Sequence, residues 1–369
     1  MLIKNANVFC EDSCFRKMDV RFEENIVESG TLKGKGFDAS GYMLIPGLVD
    51  IHTHGAMNAD TSDGIEQALK TMSRFYAMNG ITSFLATTMT YDEIRLEQAM
   101  RVAGSFTTEA GATCIGINME GPFINPLKKG AQASKDIIPP DFAMLERLNK
   151  AANNRIKLID LAPELPNALD FIERAAKLAT VSLAHTAADY DTAMQAFENG
   201  ATHVTHLFNA MEPFLHRSPG IIGAAADAGA SVEVICDGIH LHPAVIRAVF
   251  KLFDKSKICF ISDSMRSAGL ADGEYELGGQ PVTVQGGKAM LHDGTIAGSS
   301  INLMQAVKNA IKFGIKQEAA LSAATMNPAR AIKMDKYIGS IISGKQADMV
   351  LIDKQWNIKK VFVKGKEFT

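Results

Sequence analysis

Six residues of metal-binding type recur in this chain, each at the end of a short apolar run or just beyond it. Imidazole and carboxylate groups are the donors that Zn²⁺ and Fe²⁺ favour in proteins. A catalytic site uses few protein ligands and so leaves a position for water, which the metal activates. We therefore expect one or two divalent ions, Zn²⁺ or Fe²⁺, at a site formed by His52, His54, Glu120, His185, His206 and Asp263.

The spacing of His52 and His54 allows both side chains to bind the same metal ion. Residues two apart on an extended strand project to the same side, so one metal can bind both imidazoles. Taken singly, the six residues also have ordinary structural explanations, as solvated carboxylates, hydrogen-bonded histidines or a helix N-cap. Their joint recurrence at successive strand ends favours the metal site.

Asp263 is predicted to be the catalytic acid and base. Near a metal-bound water it can accept a proton as hydroxide forms and then deliver that proton to a departing amine. The metal would polarise the amide carbonyl and offset charge on the tetrahedral intermediate. This combination predicts hydrolysis of an amide.

The elements around these residues predict an α/β fold, a (β/α)₈ TIM-like barrel. Short apolar runs alternate with segments in which apolar residues have helical spacing, such as 65–78, 93–102, 171–178 and 245–253. In such a barrel the reactive side chains gather at the carboxyl ends of the strands. The eight predicted strands are 43–51, 81–88, 113–119, 157–161, 181–184, 203–208, 232–236 and 257–262.

The two ends of the chain have a different character. Residues 1–42 and 339–369 contain short alternating segments broken by glycine, which indicates antiparallel strands. We expect both ends to combine into one small β-sandwich domain beside a barrel formed by residues 43–338. Within the barrel segment, residues 272–298 are predicted to be inserted β-hairpins.

Composition excludes several classes of protein. The 369 residues carry a formal net charge of -3 and no basic run, which argues against a nucleic-acid partner. Five cysteines without a CxxC pair suit a reducing compartment. The chain start lacks a secretory apolar segment, and no stretch approaches the ~20 apolar residues that span a bilayer. We therefore expect a cytoplasmic enzyme or scaffold with no membrane partner.

Seven sequence blocks resemble the amidohydrolase superfamily and, within it, the N-acetylglucosamine-6-phosphate deacetylases. The resemblance covers nearly the whole length. The blocks EGP, THLFNAM and DGIH are specific to the deacetylases, whereas HxH is shared across the superfamily. The resemblance rests on PGLVDIHTHG (46–55), MEGPFINPLKKGAQ (119–132), LAHTAAD (183–189), THLFNAMEPFLHRSPG (205–220), CDGIHLHP (236–243), ISDSM (261–265) and AGSS (297–300).

Residue by residue, the resemblance implies that Glu120, His185 and His206 hold the principal metal and that Asp263 is the acid/base. It implies that Arg217 and His240 contact the sugar phosphate. Arginine presents a fixed fork of donors suited to phosphate oxygens. In relatives this arginine can come from a neighbouring subunit, which implies a homodimer. The remaining substrate-binding positions are Ala131, Gln132, Asn209, Ala210, Ile296, Ala297 and Gly298.

Two features of the site vary among relatives. Some members lack the strand-one histidines and use a single metal, whereas His52 and His54 are both present here, which leaves room for a second metal. Gln132 stands where other members have a histidine that helps to bind or polarise the substrate. Glutamine keeps hydrogen-bonding capacity but cannot carry the proton.

The expected reaction is attack of a metal-bound hydroxide on the acetamide of N-acetylglucosamine 6-phosphate, giving acetate and glucosamine 6-phosphate. One alternative is an amidohydrolase that acts on a different N-acyl sugar phosphate or on a cyclic amide. The cyclic-amidase branch often needs a bridging carboxylated lysine, and Glu120 stands where that bridge is expected. The other alternative is a non-catalytic scaffold, which predicts eroded ligands, yet all six are retained.

Overall fold

A computed structural model describes residues 1–368 of the chain. It contains 21 strands and ten α-helices within those residues, besides four short 3₁₀ helices. The strands are β1 (Leu2–Phe9), β2 (Phe15–Phe22), β3 (Ile26–Gly30), β4 (Phe37–Asp38), β5 (Met43–Pro46), β6 (Leu48–Thr53), β7 (Gly55–Ala56), β8 (Ala59–Asp60), β9 (Ile81–Thr87), β10 (Thr113–Glu120), β11 (Ile156–Leu161), β12 (Thr180–Leu183), β13 (His203–Val204), β14 (Ser231–Ile235), β15 (Ile258–Ile261), β16 (Gly273–Leu277), β17 (Gln280–Gln285), β18 (Lys288–Met290), β19 (Met349–Ile352), β20 (Ile358–Val363) and β21 (Lys366–Phe368). The helices are α1 (Glu66–Met78), α2 (Glu93–Ser105), α3 (Phe142–Ala151), α4 (Ala168–Ala175), α5 (Tyr190–Glu198), α6 (Gly220–Asp227), α7 (Pro243–Leu252), α8 (Leu303–Lys312), α9 (Gln317–Ala324) and α10 (Met326–Ala331).

Eight parallel strands form the predicted barrel, in the order β6, β9, β10, β11, β12, β13, β14, β15. The first and last strands meet beyond their ladders, where the Asp263 N–H donates to the His52 carbonyl at 2.9 Å. The Ser262 hydroxyl also donates to Asp50, at 2.6 Å. Apolar side chains of the strands and of the surrounding helices are buried in one large core, and further strand residues, such as Val49, Leu85 and Ile261, form a second, smaller cluster. The barrel therefore presents all its strand ends to one face.

Both termini build a separate sheet, in the order β21, β20, β19, β5, β1, β2, β3, with β4 beside β1. The rings of Phe22 and Phe362, which lie on β2 and β20, are 5.1 Å apart. Three other strands separate β2 from β20 in the sheet, so the sheet folds back on itself around its own apolar core. This is the β-domain expected from the two ends.

The predicted strand 43–51 is wrong as a single element, because the chain divides at Gly47. Met43–Pro46 pairs with β1 and β19 in the terminal sheet, whereas Leu48–Thr53 enters the barrel. A β-carbon at Gly47 would lie 2.0 Å from Thr82 Oγ1, so only glycine fits where the two sheets meet. The chain thus passes from the terminal sheet to the barrel at Gly47, and the division into domains 1–42 with 339–369 and 43–338 stays a prediction.

Residues 272–298 contain a three-stranded antiparallel sheet in the order β16, β17, β18. The turn between β16 and β17 carries Gly278 and Gly279, both with positive φ. The Gln280 side chain donates to the Ala131 carbonyl. The inserted sheet therefore contacts the loop that follows β10.

Asp348 lies buried where the terminal sheet meets the barrel. It accepts a hydrogen bond from the Lys364 N–H at 2.7 Å and one from Ser83 at 3.4 Å. Burial raises the pKa of Asp348 from 3.8 to about 6 and outweighs these hydrogen bonds. The folded protein thus keeps a proton that the unfolded chain releases, so stability falls as the pH rises from about 4 to 6.

We expect Asp348→Asn to remove this loss of stability, because the amide oxygen still accepts from Lys364 and no charge is buried. Relative to wild type, the variant's free energy of unfolding should rise between about pH 4 and 6 and level off at a gain of about 3 kcal/mol. Urea unfolding at several pH values measures this difference. A gain that does not change with pH would show that Asp348 is not the responsible group.

Candidate active site

The barrel strands carry all six predicted metal-site residues to one face. His52 lies on β6, with His54 just after it, and Glu120 is the last residue of β10. His185, His206 and Asp263 each follow their strand by two residues. All six are buried in the folded chain. The six residues predicted from the sequence therefore lie together in space, below the loops that open at this face.

Three of these residues adopt a left-handed backbone that residues other than glycine rarely use. The φ angles are 46° for His185, 30° for His206 and 47° for Asp263. Such conformations cost about 1–3 kcal/mol each and persist where surrounding bonds fix them. At Asp263 one such bond is donated by the Ser299 N–H to the Asp263 carbonyl, at 2.7 Å. The turned backbone ends the strand and aims the side chain across the barrel mouth.

Glu120 lies between two groups of histidines. Its Oε1 is 3.1 Å from His185 Nε2 and 3.2 Å from His206 Nε2. Its Oε2 is 3.4 Å from His54 Nε2, and His52 Nε2 lies 3.5 Å from Oε1. In each group, Glu120 with one histidine pair, the ligand atoms lie within 4.8 Å of one another. Two overlapping triads therefore share one carboxylate.

The donor atoms of these triads fit a divalent cation. The Nε2 atoms of His52 and His54 are 3.3 Å apart, and those of His185 and His206 are 3.1 Å apart. Lone pairs at this separation repel one another unless a proton or a cation lies between them. The outer nitrogen of His185 contacts the Lys128 carbonyl at 2.8 Å, which leaves its Nε2 free to bind metal. Four imidazoles and a carboxylate are a donor set for Zn²⁺ or Fe²⁺.

The carboxylates of the site are held in their charged form. Burial by itself raises the pKa of Glu120, but the contacts with His185 and His206 outweigh it, so the pKa lies well below the usual value. Burial likewise raises the pKa of Asp263, yet the contact with His54 outweighs it and lowers the pKa. Asp263 Oδ1 is 3.4 Å from His54 Nε2. Two anionic carboxylates therefore lie among the histidines, as a bound cation requires.

A cavity of about 380 Å³ lies over this cluster. The volume falls in the range of sites for small molecules. Most of the substrate positions predicted from the sequence line it, together with His54, Glu120, His185, His206 and Asp263. These substrate positions are Ala131, Gln132, Asn209, Ala210, His240, Ile296, Ala297 and Gly298.

Two predicted residues do not line this cavity. His52 lies beneath the other predicted metal-site residues and is fully buried. Arg217 is exposed on the loop before α6, beside the exposed apolar side chains of Phe214 and Leu215. The described chain therefore does not bring Arg217 into its own cavity.

His240 and Gln132 are fixed by neighbours. The Nδ1 atom of His240 lies 2.6 Å from Asp237, and its Nε2 lies 2.9 Å from the Ala297 carbonyl. Burial lowers the pKa of His240, but Asp237 outweighs it and raises the pKa, which favours the cation. The Gln132 amide oxygen accepts from Thr90 N–H at 2.8 Å, while its NH₂ group donates to Glu120.

Several residues of the cavity wall were not predicted from the sequence, nor was a carboxylate that holds the chain just after His185. Lys128 is the one further charged residue in the cavity wall, and its ammonium group lies 2.8 Å from Glu212. The motif blocks 119–132 and 205–220 contain both residues, so a survey of the charged residues in these blocks would have named them, but not their contact. The carboxylate of Glu164 accepts from Thr186, and from Ala187 N–H at 2.6 Å. The other missed lining residues are Met89, Leu127, Gly130, Met211, Leu277 and Thr295.

Comparison with known proteins gives the same family as the sequence motifs. The model of the amidohydrolase family matches residues 43–368. An N-acetylglucosamine-6-phosphate deacetylase from Bacillus subtilis is 38% identical, over 88% of this chain and 84% of that protein. One from Lysinibacillus sphaericus is 32% identical, over 99% of this chain and 97% of that protein. An N-acetylgalactosamine-6-phosphate deacetylase from Escherichia coli is 31% identical, over 88% and 87%.

Solved structures agree over the full length. A mutant N-acetyl-D-glucosamine-6-phosphate deacetylase from Mycobacterium smegmatis, in complex with N-acetyl-D-glucosamine-6-phosphate, has a TM-score of 0.94 at 27% identity, covering 100% of this chain and 99% of that one. The Thermotoga maritima enzyme of the same name has a TM-score of 0.89 at 31% identity, with the same coverage. The chain therefore belongs to the amidohydrolase family, in the group formed by the N-acetylglucosamine-6-phosphate deacetylases.

Proposed function

We propose that this chain hydrolyses the acetamide of N-acetylglucosamine 6-phosphate to glucosamine 6-phosphate and acetate. One observation carries the proposal: two histidine pairs share Glu120 beside Asp263, at the floor of a cavity that fits a small molecule. The names of the similar proteins support the choice of substrate.

The metal site in this proposal contains two divalent ions, Zn²⁺ or Fe²⁺. Glu120, His185 and His206 would hold the principal ion, and His52 and His54 with Glu120 would hold the second. A divalent ion supplies a Lewis acid for the amide carbonyl and makes water nucleophilic at neutral pH.

Asp263 carries the proton in this mechanism. Its carboxylate accepts a proton from the attacking water and then donates it to the amine nitrogen as the C–N bond breaks. The backbone bonds on both sides of Asp263 fix the carboxylate at the cavity wall. Because its pKa lies below the usual value, the group starts as a base.

Binding of the phosphate falls to His240 and Arg217. Asp237 favours the cationic form of His240, which lies in the cavity wall. Since Arg217 lies on an exposed loop outside its own cavity, we infer that it reaches the cavity of a second copy, in a homodimer. The exposed Phe214 and Leu215 beside it suit such a contact.

The rest of the cavity orients the sugar. Gln132 binds and orients rather than transfers a proton, because both ends of its amide are engaged and an amide does not titrate. Asn209 and Ala210 offer main-chain groups, while Ala131 and the segment 296–298 line the sugar site. The five cysteines are free, which fits a reducing compartment such as the cytoplasm. No helix among the described residues is long and apolar enough to cross a membrane.

Two alternative substrates remain open to test. One is a different N-acyl sugar phosphate, which the similarity to an N-acetylgalactosamine-6-phosphate deacetylase favours. A cyclic amide is the other, although no lysine stands in the place of Glu120.

The proposal is tested by following acetate release from N-acetylglucosamine 6-phosphate, its galactosamine isomer and the unphosphorylated sugar. We expect kcat/KM to be at least about a hundredfold lower without the phosphate, because charge-assisted hydrogen bonds are lost. His240→Asn should shrink this preference, mainly through KM. Faster release from the galactosamine isomer would assign that substrate instead. Equal rates with and without phosphate would refute the phosphate site.

A further inference from the structure

Glu233 has no part in the proposed chemistry, yet its carboxylate contacts both groups of histidines. It lies on β14 in the barrel interior and is fully buried. Its Oε2 is 3.0 Å from His52 Nδ1 and 3.2 Å from the backbone nitrogen of His206. A buried carboxylate needs such contacts, and here they lead directly to the metal site.

The direction of these hydrogen bonds depends on the backbone and on the charge of Glu233. The His206 N–H can only donate, so Oε2 of Glu233 accepts from it. Once Glu233 is ionised, both of its oxygens can only accept, so His52 Nδ1 donates to the same oxygen and the lone pair of the ring lies on Nε2. That Nε2 faces Glu120 at 3.5 Å and His54 at 3.3 Å. The contact therefore selects the tautomer that can bind a metal at this position.

His52 is the one histidine of the four whose Nδ1 atom contacts a side chain in the part of the chain that the structure describes. The ring of His185 is fixed by a backbone carbonyl. The Nδ1 atoms of His54 and His206 have no hydrogen-bond partner among the described residues. We propose that Glu233 is a positioning residue that presents His52 to the second metal ion. This inference rests on the proposed function, in which His52 is a ligand.

The test is a titration of the metal-free full chain with Zn²⁺ against a competing chelator. Glu233→Met keeps the size of the side chain but removes the acceptor, so one of the two zinc equivalents should bind about 10- to 100-fold more weakly. Glu233→Gln should restore binding to within about threefold of wild type, because the His206 N–H directs the amide oxygen toward His52. A structural role alone would not predict this rescue.

Two controls separate positioning from general damage. In a His52→Asn background, Glu233→Met should leave the affinity of the remaining zinc unchanged, since the ring on which it acts is gone. Asp160→Leu removes another fully buried barrel carboxylate, which accepts from Thr205 at 2.8 Å, and should leave both zinc affinities unchanged.

Three results would overturn the inference: equal zinc affinities in Glu233→Met and wild type, an equal loss in the His52→Asn background, or wild-type protein that binds fewer than two equivalents. Failure of the proposed function looks different. In that case wild-type protein binds both ions but releases no acetate.

Discussion

Asp263→Asn is expected to lower kcat for acetate release by about 10²- to 10⁴-fold, the range that a lost general acid or base usually costs. Asparagine has nearly the same shape and keeps an oxygen near His54, but it cannot accept and return a proton. KM should change little, because the phosphate contacts lie elsewhere in the cavity. Steady-state kinetics with enzymatic detection of acetate, on protein of measured metal content, gives both constants.

Asp237→Asn is the matched control for this variant. Asp237 is also buried at the site, but it contacts His240 rather than the metal cluster. Its replacement should raise KM by about tenfold and leave kcat within about threefold. If Asp263→Asn keeps wild-type kcat, the assignment of the proton carrier is wrong.

Glu120→Gln is expected to abolish metal binding at both triads, because its carboxylate is common to them. Without this anion, four buried imidazoles would have to hold two cations with less compensating charge. Metal content should fall from about two equivalents to below about 0.2, and kcat/KM should fall by more than about a thousandfold. Elemental analysis of the purified variant measures the first effect.

The comparison with His52→Asn makes this prediction specific. That variant should keep one equivalent, held by Glu120, His185 and His206. Asp160→Asn, a neutralised carboxylate elsewhere in the barrel interior, should keep both. Retention of both equivalents by Glu120→Gln would show that Glu120 does not join the two triads.

Much of the fold was predictable because an apolar strand followed by a polar residue is a pattern that the sequence shows directly. The strands that lead to Glu120 and Asp263 are mostly apolar and are buried on both faces. Glu120 is the last residue of its strand, and Asp263 follows its strand by two residues. Seven of the eight predicted strands agree with barrel strands apart from their ends, and the first, 43–51, is divided between two sheets. The strand predicted at 203–208 stops at Val204, and His206 and Phe208 beyond it adopt positive φ. Periodicity carries no information about such turns.

The rest depends on contacts between distant parts of the chain. The break at Gly47 is set by the closeness of Thr82, which no local pattern indicates. In the sequence, Glu233 is a charged residue inside an apolar run. Only the folded structure shows that it lies beside His52. The resemblance implied a role for Arg217, but the exposed position of that residue is a property of the folded chain.

The most direct test of the central claim measures acetate release by the wild-type chain, first stripped of metal and then titrated with Zn²⁺ or Fe²⁺. We expect stripped protein to release no acetate from N-acetylglucosamine 6-phosphate above background. Activity should return as metal is restored and should level off at about two equivalents. Full activity in protein that holds less than about 0.1 equivalent of metal would contradict the proposal that this cluster performs the hydrolysis.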